Sequence, residues 1–145
     1  MQIDTLSSAN LEALIQLVQE LWPDSSLQEE LENFRTVMDS DNEICYLAKD
    51  LDMYIAFVHV SLRADYVEGA AHLPVAYIEG MYVRPAYQNK GIARSLIETA
   101  ENWSRQKGVK QLASDTVLSN TASIDFHKKV GFTEVEKIVC FIKDL

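Results

Sequence analysis

Several residue types are scarce in this chain, and each scarcity narrows the class of protein. Two cysteines among 145 residues argue against a disulfide-stapled secreted domain, and we expect both to be reduced and buried. The five glycines and three prolines form no Pro/Gly/Ser-rich linker, and no internal repeat is present. We therefore predict a single domain over residues 1–145, which is long enough to bury one core.

Long apolar runs and basic residues are scarce as well. No segment approaches the roughly 18 unbroken apolar residues that span a bilayer, and the first residues lack the pattern of a secretion signal. Thirteen basic residues stand against 22 acidic ones, for a net charge of −9. This balance disfavours nucleic acid as a partner and suits a cationic one. We expect a cytoplasmic protein that binds neither membrane nor nucleic acid.

Hydrophobic periodicity predicts helices and strands that alternate along the second half of the chain. Apolar residues recur at helical spacing in four segments, namely residues 11–22, 26–38, 92–107 and 120–130. β-rich runs predict strands at residues 2–4, 43–50, 53–62, 75–85 and 109–117, and one bent or two short strands at 132–145. These elements predict an α/β (α+β) fold built on one sheet.

The segment YQNKGIA, residues 87–93, joins a predicted strand to a predicted helix and is rich in hydrogen-bond donors. Gly91 lets the backbone approach a ligand closely, and Gln88, Asn89 and Lys90 add donors. The amides at a helix N-terminus also carry partial positive charge. The spacing differs from the P-loop pattern, which argues against nucleotide hydrolysis. The segment therefore favours a bound diphosphate.

Two motifs together resemble a known superfamily. Gln88-x-x-Gly91-x-Ala93 after MYVRP resembles the acetyl-coenzyme A (acetyl-CoA) loop of the GNAT superfamily of N-acetyltransferases, and NTASIDFHKKVGF is similar to its asparagine-containing helix. The segments LWPD, LRADYVEG, PVAYIEGMYVRPAYQNKGIA and ASDTVLSN resemble aminoglycoside 6′-N-acetyltransferases. The resemblance covers nearly the whole chain. It implies a single GNAT-like acetyltransferase domain with a mixed, mostly antiparallel sheet flanked by helices, acetyl-CoA as co-substrate and no metal.

The resemblance also implies which residues hold acetyl-CoA. The backbone of the strand before the loop would bind the pantetheine arm, and N–H groups of the loop would face the diphosphate. The strand residues are Met81, Tyr82 and Val83, and the loop residues are Gln88, Asn89, Lys90, Gly91, Ile92 and Ala93. Asn120 would either contact the pantetheine or acetyl end or cap its own helix.

His127 stands where the superfamily usually has a tyrosine, a proposed proton donor to the leaving thiolate. Imidazole can also donate a proton near neutral pH, so the role can survive the change. Two alternatives stay open. The thiolate could leave without an acid, because a thiol pKa near about 8.5 makes it a fair leaving group. His127 could also only contact the cofactor or pack.

Acetylation requires an amine that has lost its proton, so a carboxylate or a water held by one must accept it. Glu79 interrupts an apolar strand beside the presumed acetyl position, and Asp115 lies near the end of the neighbouring strand. Each could bind the amine or help to deprotonate it, or could be an ordinary solvated side chain. Further substrate contacts are assigned to Trp22, Asp65, Tyr66, Glu68 and Glu136, although Trp22 could instead belong to the core.

The predicted reaction is acetyl transfer from acetyl-CoA to the 6′-amine of a cationic aminoglycoside, by direct attack in a ternary complex, which confers antibiotic resistance. Acetylation of a polyamine or a protein amine, or non-catalytic sensing of acyl-CoA, are the alternatives. The apolar C-terminal run IVCFIKDL lies near a possible sheet edge and, with the resemblance, predicts a homodimer.

Overall fold

One five-stranded sheet organises the chain in this computed structural model, which describes residues 1–145. Its strands follow in chain order: β1 (Gln2–Thr5), β2 (Glu43–Asp50), β3 (Met53–Arg63), β4 (Val75–Val83) and β5 (Leu112–Ala113). Strands β1 to β4 are antiparallel to their neighbours, whereas β5 runs parallel to β4. The helices are α1 (Leu11–Leu21), α2 (Leu27–Asp39), α3 (Ile92–Gln106) and α4 (Thr121–Lys129). The predicted mixed, mostly antiparallel sheet with flanking helices is confirmed.

Both faces of the sheet are covered, because the central strands alternate buried side chains between two apolar cores. Leu47 and Phe57 contribute to the core under α1 and α2. Ala56 and Val58 contribute to the opposite core, which α3 covers through Leu96, Ile97, Ala100 and Trp103. Side chains two positions apart on a strand lie on the same face. The sheet is therefore the middle layer of three.

The predicted ends of the first two helices are confirmed. Helix α1 stops at Leu21, two residues before Pro23, since the residue before a proline is driven out of the helical region. The Ser26 hydroxyl accepts a hydrogen bond from the Glu29 N–H at 3.3 Å and caps α2. The predicted hairpin of β2 and β3 also forms.

Strand β4 has two irregularities that open the sheet. The pairing with β3 matches Gly80 to His59 and Ile78 to Val60, so Glu79 is the extra residue of a bulge. On the other side, β5 pairs with β4 only at Ala76 and Tyr77. On the side that faces away from β3, the edge of β4 from Glu79 to Val83 therefore has no strand beside it.

Two predicted strands differ from the structure. The run at 109–117 forms only the two-residue β5, and residues 132–145 form no strand. A β-rich run becomes a strand only beside a partner, and so short a β5 offers almost no ladder to extend. Phe141 and Ile142 are consequently 92% and 97% exposed. Cys45 is buried as expected, but Cys140 is exposed, which corrects that prediction. None of the four helices combines the length and the hydropathy that a membrane-spanning segment requires.

Candidate active site

The loop that precedes α3 presents free backbone donors. Gly91 has φ 84°, a left-handed conformation, and Asn89 has φ 60°. The first hydrogen bond of the helix runs from the Ser95 N–H to the Gly91 carbonyl, so the N–H groups of residues 89–94 have no acceptor in the chain. A Cβ at Gly91 would meet no atom within 4 Å, so the space beside Gly91 is open. This arrangement fits an anionic diphosphate.

Gln88 differs from the other loop residues. Its N–H donates to the Pro85 carbonyl at 3.3 Å, and its side-chain Nε2 donates to the Val83 carbonyl at 3.0 Å. The expectation that the Gln88 N–H faces the diphosphate is therefore not met, because this N–H is already bonded. Gln88 instead fastens the loop to the end of β4.

The end of β4, which was predicted to bind the pantetheine arm, is free along one edge. Met81, Tyr82 and Val83 pair with β3 on one side, whereas β5 ends at Ala113 on the other. Their side chains pack into the two cores, Met81 towards α3 and Tyr82 towards α1. Packing of the side chains thus leaves the backbone edge available to a pantetheine arm.

Glu79 accepts three hydrogen bonds, two of which come from the charged guanidinium of Arg63. Arg63 donates from Nε and Nη2 to the two Glu79 oxygens, each at 2.8 Å, and the Ser61 hydroxyl donates to Oε1 at 2.6 Å. Burial raises the pKa of Glu79, but the hydrogen bonds from Arg63 and Ser61 outweigh it and hold the pKa below its usual value. Glu79 is an ionised, oriented carboxylate.

Asp115 belongs to the same cluster through Tyr77. The Tyr77 hydroxyl donates to Asp115 Oδ2, and the Arg63 guanidinium carbon lies 3.5 Å from the centroid of the Tyr77 ring. Burial, together with the bond to Asp115, raises the pKa of Tyr77 to about 12, so the phenol keeps its proton at neutral pH. The structure therefore brings the two predicted carboxylates, Glu79 and Asp115, into one cluster.

The sequence did not reveal the partners of the two carboxylates, which are Ser61 and Arg63 for Glu79 and Tyr77 for Asp115. The available signal was alternation, because His59, Ser61 and Arg63 are polar at every second position of a mostly apolar strand. Ser61 pairs with Tyr77 across β3 and β4. That register places Ser61, Arg63 and Tyr77 beside Glu79.

Trp22 lies at the surface of the site and is not a core residue. Its side chain is among the exposed apolar ones, at 43%. A Cβ at Gly80 would lie 2.7 Å from the Trp22 Cη2 atom, so the ring rests on the backbone next to Glu79. The glycine is required here because the indole occupies the place of a side chain.

The remaining predicted substrate contacts are one tyrosine and three carboxylates, namely Tyr66, Asp65, Glu68 and Glu136. The Tyr66 hydroxyl donates to Glu68 at 3.0 Å. That bond and the charge of Glu68, with a smaller effect of Glu136, raise the pKa of Tyr66. The structure thus brings Tyr66 and Glu68 together, and the charge of Glu136 acts on Tyr66 as well. Asp65 is exposed.

His127 has a defined tautomer. Its Nδ1 lies 2.7 Å from the Ser123 carbonyl oxygen, and its Nε2 lies 2.8 Å from the Ser114 hydroxyl. Because a carbonyl only accepts, Nδ1 carries the proton, and Nε2 of the neutral ring accepts from Ser114. Asn120 caps α4, since its side chain accepts from the Ser123 N–H at 3.1 Å. The capping alternative for Asn120 is therefore confirmed.

A sheet that opens beside β4, followed by a helix with free N-terminal amides, defines a fold that can hold an acyl-CoA. The acetyltransferase (GNAT) family matches residues 11–132, and the chain belongs to this family. It is 36% identical over 137 residues to aminoglycoside N(6′)-acetyltransferase type 1 of Serratia marcescens, with 94% of each chain covered. The corresponding protein of Acinetobacter haemolyticus is 35% identical, with 100% of this chain and 99% of the relative covered.

Solved structures agree with these relatives. The structure of AAC(6′)-Iy in complex with the bisubstrate analogue CoA-S-monomethyl-acetylneamine superposes with a TM-score of 0.95 at 30% identity, covering 99% of this chain and 98% of that one. The apo crystal structure of the aminoglycoside 6′-N-acetyltransferase AAC(6′)-IG from Acinetobacter haemolyticus superposes with a TM-score of 0.92 at 34% identity. It covers 100% of this chain and 99% of that one.

Proposed function

We propose that this chain transfers the acetyl group of acetyl-CoA to the 6′-amine of aminoglycoside antibiotics by direct attack in a ternary complex, and so confers resistance. The observation that carries the proposal is the cluster of Glu79 and Asp115 beside the point at which β4 and β5 separate. A cationic amine bound by these carboxylates would lie next to the free edge of β4. The relatives named above support the same substrate class.

The residues around the opening fit acetyl-CoA, which supplies the activated acetyl group when bound. We assign the N–H groups of residues 89–93 to the diphosphate and the backbone of Met81, Tyr82 and Val83 to the pantetheine arm. The unpaired donors and the open space in front of Gly91 support the first assignment. The free edge of β4 supports the second. Asn120, through its cap, orders the first turn of α4 beside this path.

We assign Glu79 and Asp115 to binding and orienting the reactive ammonium. A general base is most effective when its pKa lies near the working pH, and Glu79 is held below even its usual value. A water held at these carboxylates then takes the amine proton to solvent. We assign the exposed rings of Trp22 and Tyr66 to the apolar faces of the sugars. We assign Asp65, Glu68 and Glu136 to the attraction of the cationic drug.

We assign His127 to the sulfur end of the reaction. The neutral ring presents Nε2 as an acceptor to Ser114, so only a doubly protonated imidazolium can donate from Nε2 to the thiolate. If the acid role applies, His127→Gln should lower kcat with kanamycin. If the thiolate leaves unaided, kcat should stay unchanged.

The acceptor is tested by a matched pair of drugs. Release of CoA should be rapid with kanamycin and at background with an otherwise identical aminoglycoside that carries a 6′-hydroxyl. Spermidine and a lysine peptide serve as competing acceptor classes. Equal turnover of spermidine, or acetylation of the 6′-hydroxy drug, would overturn the assignment of the 6′-amine.

We further propose that residues 1–145 form one acetyltransferase domain that assembles as a homodimer in the cytoplasm. Apolar side chains at the C-terminus, among them Val139, Phe141 and Ile142, are exposed, and contiguous exposed apolar surface is typical of an interface. The thiols of Cys45 and Cys140 are free, which suits a reducing compartment.

The dimer is tested by sedimentation. At micromolar concentration the mass should be twice that of the 16.4 kDa chain. Ile142→Asp should lower it to the monomer value, whereas the control Leu51→Asp, at an equally exposed position in the β2–β3 turn, should not. A wild-type mass near 16.4 kDa would contradict the proposal.

A further inference from the structure

Arg63 and Tyr77 connect the two carboxylates of the proposed acceptor site. Arg63 donates two hydrogen bonds to Glu79, each at 2.8 Å, and its guanidinium lies 3.5 Å from the centroid of the Tyr77 ring. The Tyr77 hydroxyl donates to Asp115. The four side chains therefore form one continuous series of contacts, from the bulge of β4 to the residues after β5.

An arginine in a site for a cationic drug needs an explanation, because its charge would repel the substrate. The edge of the guanidinium formed by Nε and Nη2 is bonded to Glu79, and the flat face of the group is stacked on Tyr77. Two carboxylates against one guanidinium leave the cluster with one net negative charge. A bidentate fork fixes the orientation of a carboxylate in a way that a lysine cannot. Arg63 therefore contributes geometry and not attraction.

Tyr77 has the same effect on Asp115. A phenol that keeps its proton is a donor, so its bond to Oδ2 fixes the rotamer of Asp115 and leaves Oδ1 for an ammonium. The ring is itself held, because it packs with Val67 and Val75 in a small buried cluster. Asp115 follows a two-residue strand and has little other support.

We propose that Arg63 and Tyr77 are positioning residues that hold Glu79 and Asp115 as one unit around the reactive amine. The inference rests on the proposed function of the two carboxylates and adds that neither acts independently. A drug amine is then bound by two carboxylates whose separation is set by the stacked pair. Loss of either link should weaken the drug's binding while acetyl-CoA binding stays intact.

The first test is a double-mutant cycle with kanamycin. Tyr77→Phe removes one hydroxyl, and the loss of a hydrogen bond to a charged group should raise the KM by about tenfold or more. In an Asp115→Ala background the same change should alter kinetics by less than about twofold, because the bonded partner is gone. Independent, multiplicative effects would overturn the coupling. So would wild-type kinetics in Tyr77→Phe when Asp115→Ala is impaired.

The second test removes the fork. Arg63→Lys keeps the charge but loses the bidentate bond and the stack, and should lower kcat/KM for kanamycin. In Arg63→Met the pKa of Glu79 should rise, since Ser61 and the more distant His59 are the other groups that lower it, while Tyr77 and Asp115 do not. The acidic limb of kcat/KM should then move to higher pH. An unmoved limb with an unchanged KM would overturn the role of Arg63.

Calorimetry with acetyl-CoA separates this inference from the proposed function. All variants should bind acetyl-CoA as the wild type does, which also shows that they are folded. If Glu79→Gln and Asp115→Ala keep wild-type kinetics, the acceptor site itself is wrong. If those variants are impaired and Tyr77→Phe and Arg63→Lys are not, only the linkage is wrong.

Discussion

The two halves of the proposed site are built from different chemical groups. The cofactor half uses backbone N–H groups of one short segment, residues 89–93, in which the left-handed Gly91 leads into the first turn of α3. The acceptor half uses side chains from three segments that are distant in the sequence: β3, β4 and the residues after β5. A backbone site tolerates many side chains but few changes of conformation. A side-chain site depends on each hydrogen bond that orients it.

The largest effect that this comparison predicts is at Gly91. In Gly91→Asp an L residue must adopt a left-handed φ of 84° and places a carboxylate before the free donors. We expect acetyl-CoA affinity to fall by about 10²-fold or more, about 2.7 kcal/mol, in calorimetry.

Gly108→Asp is the matched control, because that glycine has φ 80° and equally open surroundings at the other end of α3. It should bind acetyl-CoA as the wild type does. Equal losses in both variants would mean that strain, and not charge at the diphosphate position, explains the result.

Substitutions in the acceptor half should weaken the interaction with the drug and leave acetyl-CoA affinity unchanged. Glu79→Gln leaves Arg63 without its ionic partner and removes a negative charge from the amine site. We expect kcat/KM for kanamycin to fall by about 10²-fold, mostly through KM, with acetyl-CoA affinity unchanged. Asp52→Asn, an exposed carboxylate in the β2–β3 turn, is the control and should behave as the wild type. A fall confined to kcat would instead favour a proton-accepting role for Glu79.

The cofactor half was predictable from the sequence because its features are local. Gly91, the donors before it and the helical spacing from Ile92 onwards lie within one continuous segment, and the helix begins where the spacing indicates. Gln88 was the exception. Its donors are used by the carbonyls of Pro85 in the loop and Val83 at the end of β4, and the spacing does not encode these bonds.

The acceptor half was predictable only in part. Glu79 and Asp115 could be found because a carboxylate in or beside an apolar strand is unusual. Alternation along β3 marks Arg63 as a polar position but does not pair it with Glu79, and nothing marks Tyr77. Their contacts depend on the register of β3 with β4 and on the bulge at Glu79. The prediction of strands at 132–145 was wrong for a related reason, because a strand requires a neighbouring strand that the sequence of the segment does not specify.

The smallest predicted effect concerns stability against acid. The pKa of Glu79 is lower in the folded chain than in the unfolded one, so its contribution is present above the unfolded pKa and is lost as pH falls through the folded value. Between about pH 7 and about pH 3 the wild type should therefore lose more unfolding free energy than Glu79→Gln, by about 1 kcal/mol at most for a partly exposed pair. Chemical denaturation at the two pH values measures the difference. Asp52→Asn is the control: it removes an exposed carboxylate and leaves Glu79 and Arg63 in place, so it should lose as much as the wild type. Equal losses in all three chains would contradict the ionised pair.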